Sequence, residues 1–452
     1  MHHLAMSLAE QGHRVSGSDD RVVEPSRSGL KRAGLLPERE GWFPERITED
    51  IDAVILGMHA KADNPELRRA QELDLKIYSF PAFVYEQSMQ KTRVVIAGTY
   101  GKTTIMSMAM HVLRKLGRDF DYLVGAQLEG FGSLVKLTPH NKTILLEGDE
   151  HYASAIDRRS KFHVYSPNIA LISCVEWNES RDRTDRAEYL NRFETLVDGI
   201  AEKGTLIYNK DCQSLRAIVD GTLGCKINRH GYSLPEHSVR KGITYLHLGE
   251  ERIPVQVSGK INLSNIAGAY TVCEWLGVKR ADFYLAIQDF RNTVRHLEFV
   301  SGDSESVVYQ DFDTSPDRLR TSIRTIKEQF PEQPLATIVE FGPYDAFDPD
   351  FRTQYAGAMD ESDYAVVFVN WESIKDNGIR LDDAEHETKL AFNHQNLVFI
   401  ADVKSLDSYL TGCKGRGINF LFMLPPDRNS ILFNGQWTID NDCTETRSRP
   451  LL

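Results

Sequence analysis

The chain has 452 residues, 41% hydrophobic, 26% charged and 10% aromatic, the make-up of an ordinary globular protein of two or three domains. Its formal net charge of -12 lacks the basic footprint that general nucleic-acid binding requires, and no apolar run is long enough to insert in a membrane. The opening "MHHLAMSLAEQGHRVSG" shows no basic stretch followed by an apolar one, and the six scattered cysteines include no C-x-x-C pair, so a cytoplasmic, reducing location is expected.

In chain order, "HRVSGSDD" (13–20) reads as a strand entering a polar turn. "DAVILGMHA" (52–60) reads as a second strand, and "LKIYSFPAFV" (75–84) begins as a third. Helical stretches alternate with them, which predicts a small α/β domain with a parallel sheet over residues 1–88. The chain opens inside a helix, without the strand and glycine turn with which such a sheet normally begins. That first strand and loop are therefore expected to be missing.

A second block starts at "TRVVIAG". Strand-like runs recur at "DYLVGAQL", "KTILLEGDE", "NIALISCVEW" and "GTLIYNKD", separated by helical segments such as "RAEYLNRFETLVDGIAEK". "SGKINLSNIAGAYTVCEWLGV" is a polar turn feeding an apolar-striped helix. From residue 296 a third alternation runs through "SVVYQDF", "LRTSIRTIKEQF", "PLATIVEF", "DYAVVFVNW", "NLVFIADV" and "INFLFMLPP", which predicts a doubly wound C-terminal domain.

The chemistry concentrates at "AGTYGKTT" (97–104), between the β-branched run Val94-Val95-Ile96 and the helical "IMSMAMHVL". Strand, glycine turn and helix start form the layout of a phosphate loop, because backbone N–H groups at a helix N-terminus face an anion and glycines admit its oxygens. Lys102 would reach the outer phosphates and the Thr103 hydroxyl would ligate Mg²⁺. The spacing is shorter than G-x-x-x-x-G-K-[ST], since Ile96 stands where that pattern has glycine. The bland alternative is a capped helix start with an incidental lysine.

Glu147, Asp149 and Glu150 end one strand, and Glu176 and Glu179 follow another; carboxylates at strand ends can hold Mg²⁺ opposite a phosphate loop, or merely form solvated turns. Asn262 and Asn265 lie three apart at a helix start and share a face, where capping alone accounts for one of them better than for both. Asp311 ends "VVYQD", where a carboxylate could take a ribose hydroxyl.

These residues, in this order, resemble the Mur ligase family, whose shorter loop G-T-x-G-K-T-T matches Gly98, Thr99, Gly101, Lys102, Thr103 and Thr104. The resemblance implies an α/β, three-domain architecture. It would comprise a truncated Rossmann-like UDP-sugar domain (1–88), a central P-loop-type ATPase domain (89–295) and a Rossmann-like C-terminal domain (296–452) that closes over ATP. "VSGSDD", "ADNPEL", "FDYLVGAQLEGF", "LLEGDE", "IDRRSKFHVY" and "GTLIYN" are similar to the murein-peptide ligase branch. That branch joins UDP-N-acetylmuramate to the murein tripeptide L-Ala-γ-D-Glu-meso-diaminopimelate during peptidoglycan recycling, through an acyl phosphate, with release of ADP.

By position, the resemblance implies catalytic roles for Lys102 and Glu147, and Mg²⁺ held by Thr103, Glu147 and Glu179. ATP would meet the loop, Asn262 and Asn265 at the adenine, Arg295 at the phosphates and Asp311 at the ribose. Ser18 and Asp19 would lie near the uridine, and a monomer is expected.

The sequence also departs from the family form. Tyr100 replaces a histidine, Asn178-Glu179 an Asp-His pair, His296 an arginine beside Arg295, Thr314-Ser315 two histidines, and Gly342 another. A second reading is therefore a Mur-ligase-like protein that keeps nucleotide or UDP-sugar binding without ligation. A third is the family's alanine-adding ligase. Folylpolyglutamate synthase shares the loop type but has no N-terminal UDP domain.

Overall fold

The computed structural model describes residues 1–177, 184–222, 224, 226–240, 242–291, 297–302, 305–341, 349–369, 380–413 and 415–424. The chain divides into two compact units. One holds Met1–Glu236, His247–Ile253 and Ile261–Phe290; the other holds His237–Leu246, Pro254–Lys260 and Arg291–Leu452. Among the described residues no helix is long and apolar enough to cross a membrane.

The first unit begins with helices α1 (His2–Glu10) and α2 (Ser26–Arg32), strand β1 (Val54–Leu56), helix α3 (Pro65–Glu72), strand β2 (Ile77–Ser79) and helix α4 (Phe80–Ser88). β1 and β2 pair in parallel. Local chemistry sets the helix starts: the Asn64 side chain accepts from the N–H groups of Glu66 and Leu67, and Ser79 caps Ala82. A proline sits in the first turn of each, where its missing N–H costs no hydrogen bond. The expected strand at 13–20 is not one. It makes a single antiparallel bridge, Asp19 to Gly41, and a run without a paired neighbour has no ladder to hold it extended.

The same unit carries a seven-stranded sheet of β3 (Thr92–Ala97), β4 (Asp121–Leu123), β5 (Val135–Lys136), β6 (Thr143–Glu147), β7 (Ile169–Ile172), β8 (Thr205–Asn209) and β9 (Asn228–Tyr232). Its order is β5-β4-β6-β3-β7-β8-β9, parallel except for β5 at the edge. Central strands of a parallel sheet are covered on both faces, which is why β3 reads as an unbroken apolar run with Val94 to Ala97 fully buried.

One face, including Val95, Leu146 and Ile172, packs with Leu4 and Leu8 of α1 and Phe83 and Val84 of α4. Helices α7 (Arg186–Asp198) and α8 (Gln213–Gly221) complete that core after the short α6 (Lys161–Val164). Helix α5 (Lys102–Lys115) packs on β3 and β6. Helix α9 (Lys260–Trp275) is followed by α10 (Arg280–Ile287), which packs on α5. So the first segment of the chain contributes side chains to the core of the sheet that carries the loop.

Between β9 and α9 come strands β10 (His237–Arg240), β11 (Ile243–Leu248) and β12 (Glu251–Val255), with β10 and β11 antiparallel. Sequence patterning does not reveal β9 to β12: "NRHGY" in β9, for example, has no apolar alternation.

The second unit holds β13 (Glu298–Gly302), β14 (Val307–Asp311), α11 (Pro316–Gln329), β15 (Leu335–Glu340), α12 (Pro349–Tyr355), β16 (Tyr364–Phe368), α13 (Leu381–Phe392), β17 (Leu397–Ile400), α14 (Val403–Cys413) and β18 (Asn419–Met423). The order is β13-β14-β18-β15-β16-β17, with only the β13 edge antiparallel. Period-two alternation sends Leu335, Val339, Val367 and Leu421 into one core with α11 and α13. It sends Ala336, Ile338, Val366 and Phe420 into another with α14. This is the doubly wound domain expected from the sequence.

Candidate phosphate-binding site

The site lies at the carboxyl ends of β3, β6 and β7, where an open parallel sheet presents its loops. Gly98 (φ 127°) and Gly101 (φ 81°) both require the left-handed backbone that side chains resist. A Cβ on Gly98 would run into the Ser173 hydroxyl and the Cys174 backbone; one on Gly101 would lie 2.5 Å from Asn265 Oδ1. The loop is thus a closely fitted backbone cradle, and Gly101 precedes the first turn of α5 with no side chain capping its N–H groups. Those amides are free to meet an anion.

Thr99 ties the loop down. Its N–H donates to Cys174 O at 2.8 Å, and its hydroxyl lies 2.9 Å from the Tyr189 phenol while accepting from Glu176 N at 2.9 Å. The Ser173 hydroxyl donates to Ala97 O at 3.2 Å and to Tyr100 O. Tyr100 itself is exposed.

Lys102 Nζ donates to Gly98 O at 2.6 Å and lies 3.4 Å from Glu150 Oε2. The cation is held over its own loop by one carbonyl and one long ion pair. The Thr103 hydroxyl donates to Glu147 Oε1 at 2.6 Å, and Glu147 Oε2 accepts from Gly125 N at 2.7 Å. Glu147 is buried at 8% exposure, with both oxygens engaged. Asp149 instead pairs with Lys161 at 2.8 Å, and the Glu150 carbonyl accepts from Ser160 Oγ at 2.7 Å and Arg192 at 3.4 Å. Of the acidic run, then, Glu147 and Glu150 face the loop residues, while Asp149 braces α6.

Asn265 is buried on the first turns of α9, against Gly101; Asn262, one turn earlier, is half-buried. The amide of Asn265 thus meets the loop itself. Asp311 lies in the second unit, fully buried. It accepts from Arg318 Nε at 2.6 Å, Ser322 Oγ at 2.7 Å and Asp313 N at 3.2 Å, so its carboxylate is engaged within its own domain. Glu179 and Arg295, with Asn178, His296 and Gly342, lie outside the described residues.

In the N-terminal segment a cavity of about 300 Å³ is lined by Val15, Ser16, Gly17, Leu35, Arg39 and Arg46, next along the chain to Ser18 and Asp19. The Arg39 and Arg46 guanidinium carbons lie 5.0 and 6.0 Å from the Phe43 ring centre. Partial burial, then a hydrogen bond from Asp20, raises the Asp19 carboxyl above its ordinary range. Sequence reading missed Arg39, Arg46, Tyr189 and Ser173. Nothing in their spacing marks them, because each reaches its site through the fold.

Among the described residues no three metal-ligating side chains gather. A glycine cradle with a hydroxyl and carboxylate beside it and a lysine over it, at the carboxyl ends of parallel strands, is the geometry of a phosphate loop in an α/β protein. Residues 96–273 match the Mur ligase middle domain.

A UDP-N-acetylmuramate–L-alanine ligase of Streptomyces avermitilis is 26% identical over 336 residues, which cover 72% of this chain and 70% of that one. A UDP-N-acetylmuramate–L-alanyl-gamma-D-glutamyl-meso-2,6-diaminoheptandioate ligase of Haemophilus influenzae is 26% identical over 341 residues, 72% of this chain and 73% of that one.

Among solved structures, a UDP-N-acetylmuramate:L-alanyl-gamma-D-glutamyl-meso-diaminopimelate ligase of Neisseria meningitides superposes with a TM-score of 0.58 at 25% identity. That match covers 65% of this chain and 96% of that one. A UDP-N-acetylmuramate-alanine ligase of Thermotoga maritima shares the fold with a TM-score of 0.62 at 19% identity, over 94% and 93% of the two chains. Members of the family are ATP-dependent ligases.

Proposed function

We propose that this chain is an ADP-forming ligase that joins UDP-N-acetylmuramate to a murein peptide, L-Ala-γ-D-Glu-meso-diaminopimelate, in peptidoglycan recycling. The observation that carries the reading is the pairing of Thr103 with Glu147 at 2.6 Å beside the glycine cradle. A magnesium nucleotide fits these residues: Mg²⁺ keeps water and phosphate oxygens as ligands and needs only one or two protein groups. Thr103 and Glu147 are those groups, joined by Glu179, and the amides of Gly101 to Thr104 face the phosphates.

ATP supplies the energy that turns a carboxylate into an acylating group. Lys102 leaves Gly98 O and Glu150 to neutralise charge on the outer phosphates, and electrostatic positioning of this kind dominates phosphoryl transfer. Thr99, anchored by Tyr189, keeps the loop from swinging. Asn265 and Asn262 orient the adenine end, and Arg295 adds charge at the phosphates. The cavity at Arg39 and Arg46 suits the uridine diphosphate, with Ser18 and Asp19 beside the uridine. The division into a UDP-sugar domain (1–88), an ATP domain (89–295) and a C-terminal domain (296–452) belongs to the same proposal, as do the cytoplasmic location and the monomer.

Relatives of both acceptor types match at 26% identity, which favours L-alanine as the second acceptor to try. Purified protein is incubated with UDP-N-acetylmuramate, ATP and Mg²⁺, with the tripeptide or L-alanine, and ADP release is followed. ADP that depends on the tripeptide is the expected result; ADP that depends only on L-alanine moves the reading to the alanine-adding ligase. Protein that binds ATP and releases no ADP with either acceptor overturns ligation and leaves a binding protein, the outcome that the exposed Tyr100 and the other departures from the family form would explain.

A further inference from the structure

Two thiols meet where the phosphate loop is anchored. Cys174 follows β7 and Cys212 opens α8 after β8, and the carboxyl ends of these neighbouring strands bring the two Sγ atoms to 2.8 Å. Both cysteines are free thiols, Cys174 half-buried and Cys212 buried. Val175 N donates to Cys212 Sγ at 3.4 Å, and Glu176 Oε1 lies 3.6 Å from Cys174 Sγ. The Cys174 thiol donates to the Cys212 sulfur and pushes its pKa down to about 6, with Val175 and Leu215 N–H helping at the start of α8; the same contact pushes Cys174 up. One proton thus serves two sulfurs, and the pair already holds thiolate at neutral pH.

We propose that Cys174 and Cys212 form a reversible disulfide, made by exchange with a small-molecule disulfide, that weakens nucleotide binding at the adjoining loop. The half concerning nucleotide rests on the phosphate-loop reading; the half concerning the disulfide does not. Cys174 is the accessible partner. Its sulfur, with its proton passed to Cys212, attacks glutathione disulfide, breaks the S–S bond and releases one glutathione thiolate. Cys212 then attacks Cys174 Sγ in the mixed disulfide and expels the second. The two protein sulfurs are oxidised and one glutathione disulfide is reduced to two glutathiones, one of which takes the proton the pair shared and the other a proton from water.

The coupling follows from the chain path. A disulfide bond of about 2.05 Å draws Cys174 toward Cys212. Cys174 O is the acceptor that holds Thr99 N at 2.8 Å, and the Cys174 backbone leaves no room for a Cβ on Gly98. The bond therefore moves the floor of the cradle.

The test uses the full reduced chain, treated with glutathione disulfide and then with dithiothreitol. Intact mass, mapping of the linked peptides and ATP affinity by calorimetry are read at each stage. The expected result is a loss of two hydrogen atoms mapped to Cys174–Cys212, with ATP affinity falling roughly three- to tenfold, the worth of one hydrogen bond, and returning on reduction. Cys174→Ser and Cys212→Ser should each abolish the mass loss.

A stable glutathione adduct without the internal bond, or a bond to another cysteine, overturns the site. A mapped bond with unchanged affinity overturns the coupling. If the reduced protein binds no ATP, the phosphate-loop reading and the coupling fail together, and the mapped bond alone decides the site.

Discussion

The Thr103 hydroxyl donates to Glu147 Oε1 at 2.6 Å while Gly125 N holds the other oxygen of the same carboxylate. One buried carboxylate thus joins the end of β6 to the first turn of α5. Glu147→Gln keeps an acceptor for Gly125 N but removes the charge that a hard cation needs. Magnesium-dependent ATP turnover should fall by roughly two to three orders of magnitude, the scale of losing one electrostatic stabiliser. The melting temperature should move by only a few degrees. Steady-state ADP release, with Mg²⁺ titrated, checks both.

Lys102 has no structural task beyond a carbonyl bond and a 3.4 Å ion pair with Glu150. Lys102→Ala should therefore leave thermal stability within about 0.5 kcal/mol while lowering ATP affinity or turnover at least roughly a hundredfold. Calorimetric binding of ATP alongside a urea titration separates the two effects.

The glycines of the loop behave oppositely. Gly98→Ala puts a methyl against Ser173 Oγ and the Cys174 backbone at a φ of 127°. It should destabilise the protein by roughly 1–3 kcal/mol and abolish nucleotide binding. Gly132, which has open space around its Cβ position, is the control: Gly132→Ala should leave both unchanged. Urea midpoints and ATP affinity for the two variants give the comparison.

What the sequence made legible follows from how local each signal is. The strand–glycine–helix turn at 97–104 was readable because its strand, glycines, lysine and helix lie within one short run, and the place of Glu147 beside it because strand ends gather in a parallel sheet. The strand–helix repetition from residue 296 onward named the doubly wound second unit. Tyr189, by contrast, reaches Thr99 across 90 positions of chain, and Arg39 and Arg46 line a cavity through loop geometry that leaves no periodic trace. The strand expected at 13–20 had the right composition and no partner, because β-structure depends on pairing more than on local preference. Asn265 was expected at the adenine, and its contact with Gly101 became visible only when α9 was set against the loop.

Asp311 combines full burial with a 2.6 Å bond to Arg318 and a 2.7 Å bond from Ser322. Arg318 is 23% exposed and stays partly solvated when Asp311 is removed, so the loss is that of charge-assisted hydrogen bonds, about 1.5–3 kcal/mol. Asp311→Ala should thus lower the unfolding free energy of the second unit by that amount, while Ser322→Ala should cost only about 1 kcal/mol. Urea unfolding of both variants checks the ranking. A KM for ATP that rises in Asp311→Ala with no loss of stability would instead assign this carboxylate to the ribose.

His163 supplies a pH signature for the fold beneath the site. Its Nε2 donates to Arg192 O at 2.7 Å, and burial, with Arg192 and Arg159 nearby, lowers its pKa below the ordinary 6.5. In the unfolded chain the imidazole takes up a proton near pH 6.5, while the folded protein resists until lower pH. Between those two values the unfolded state binds more protons, so stability falls as pH falls below 6.5 and levels off once the folded imidazole is also charged. The contribution is fully present above pH 6.5. His163→Gln, which keeps a donor for Arg192 O and cannot titrate, should flatten this part of the decline. Urea midpoints for wild type and variant at intervals from pH 7.5 downward measure it, and parallel declines in the two proteins would assign the loss to other groups.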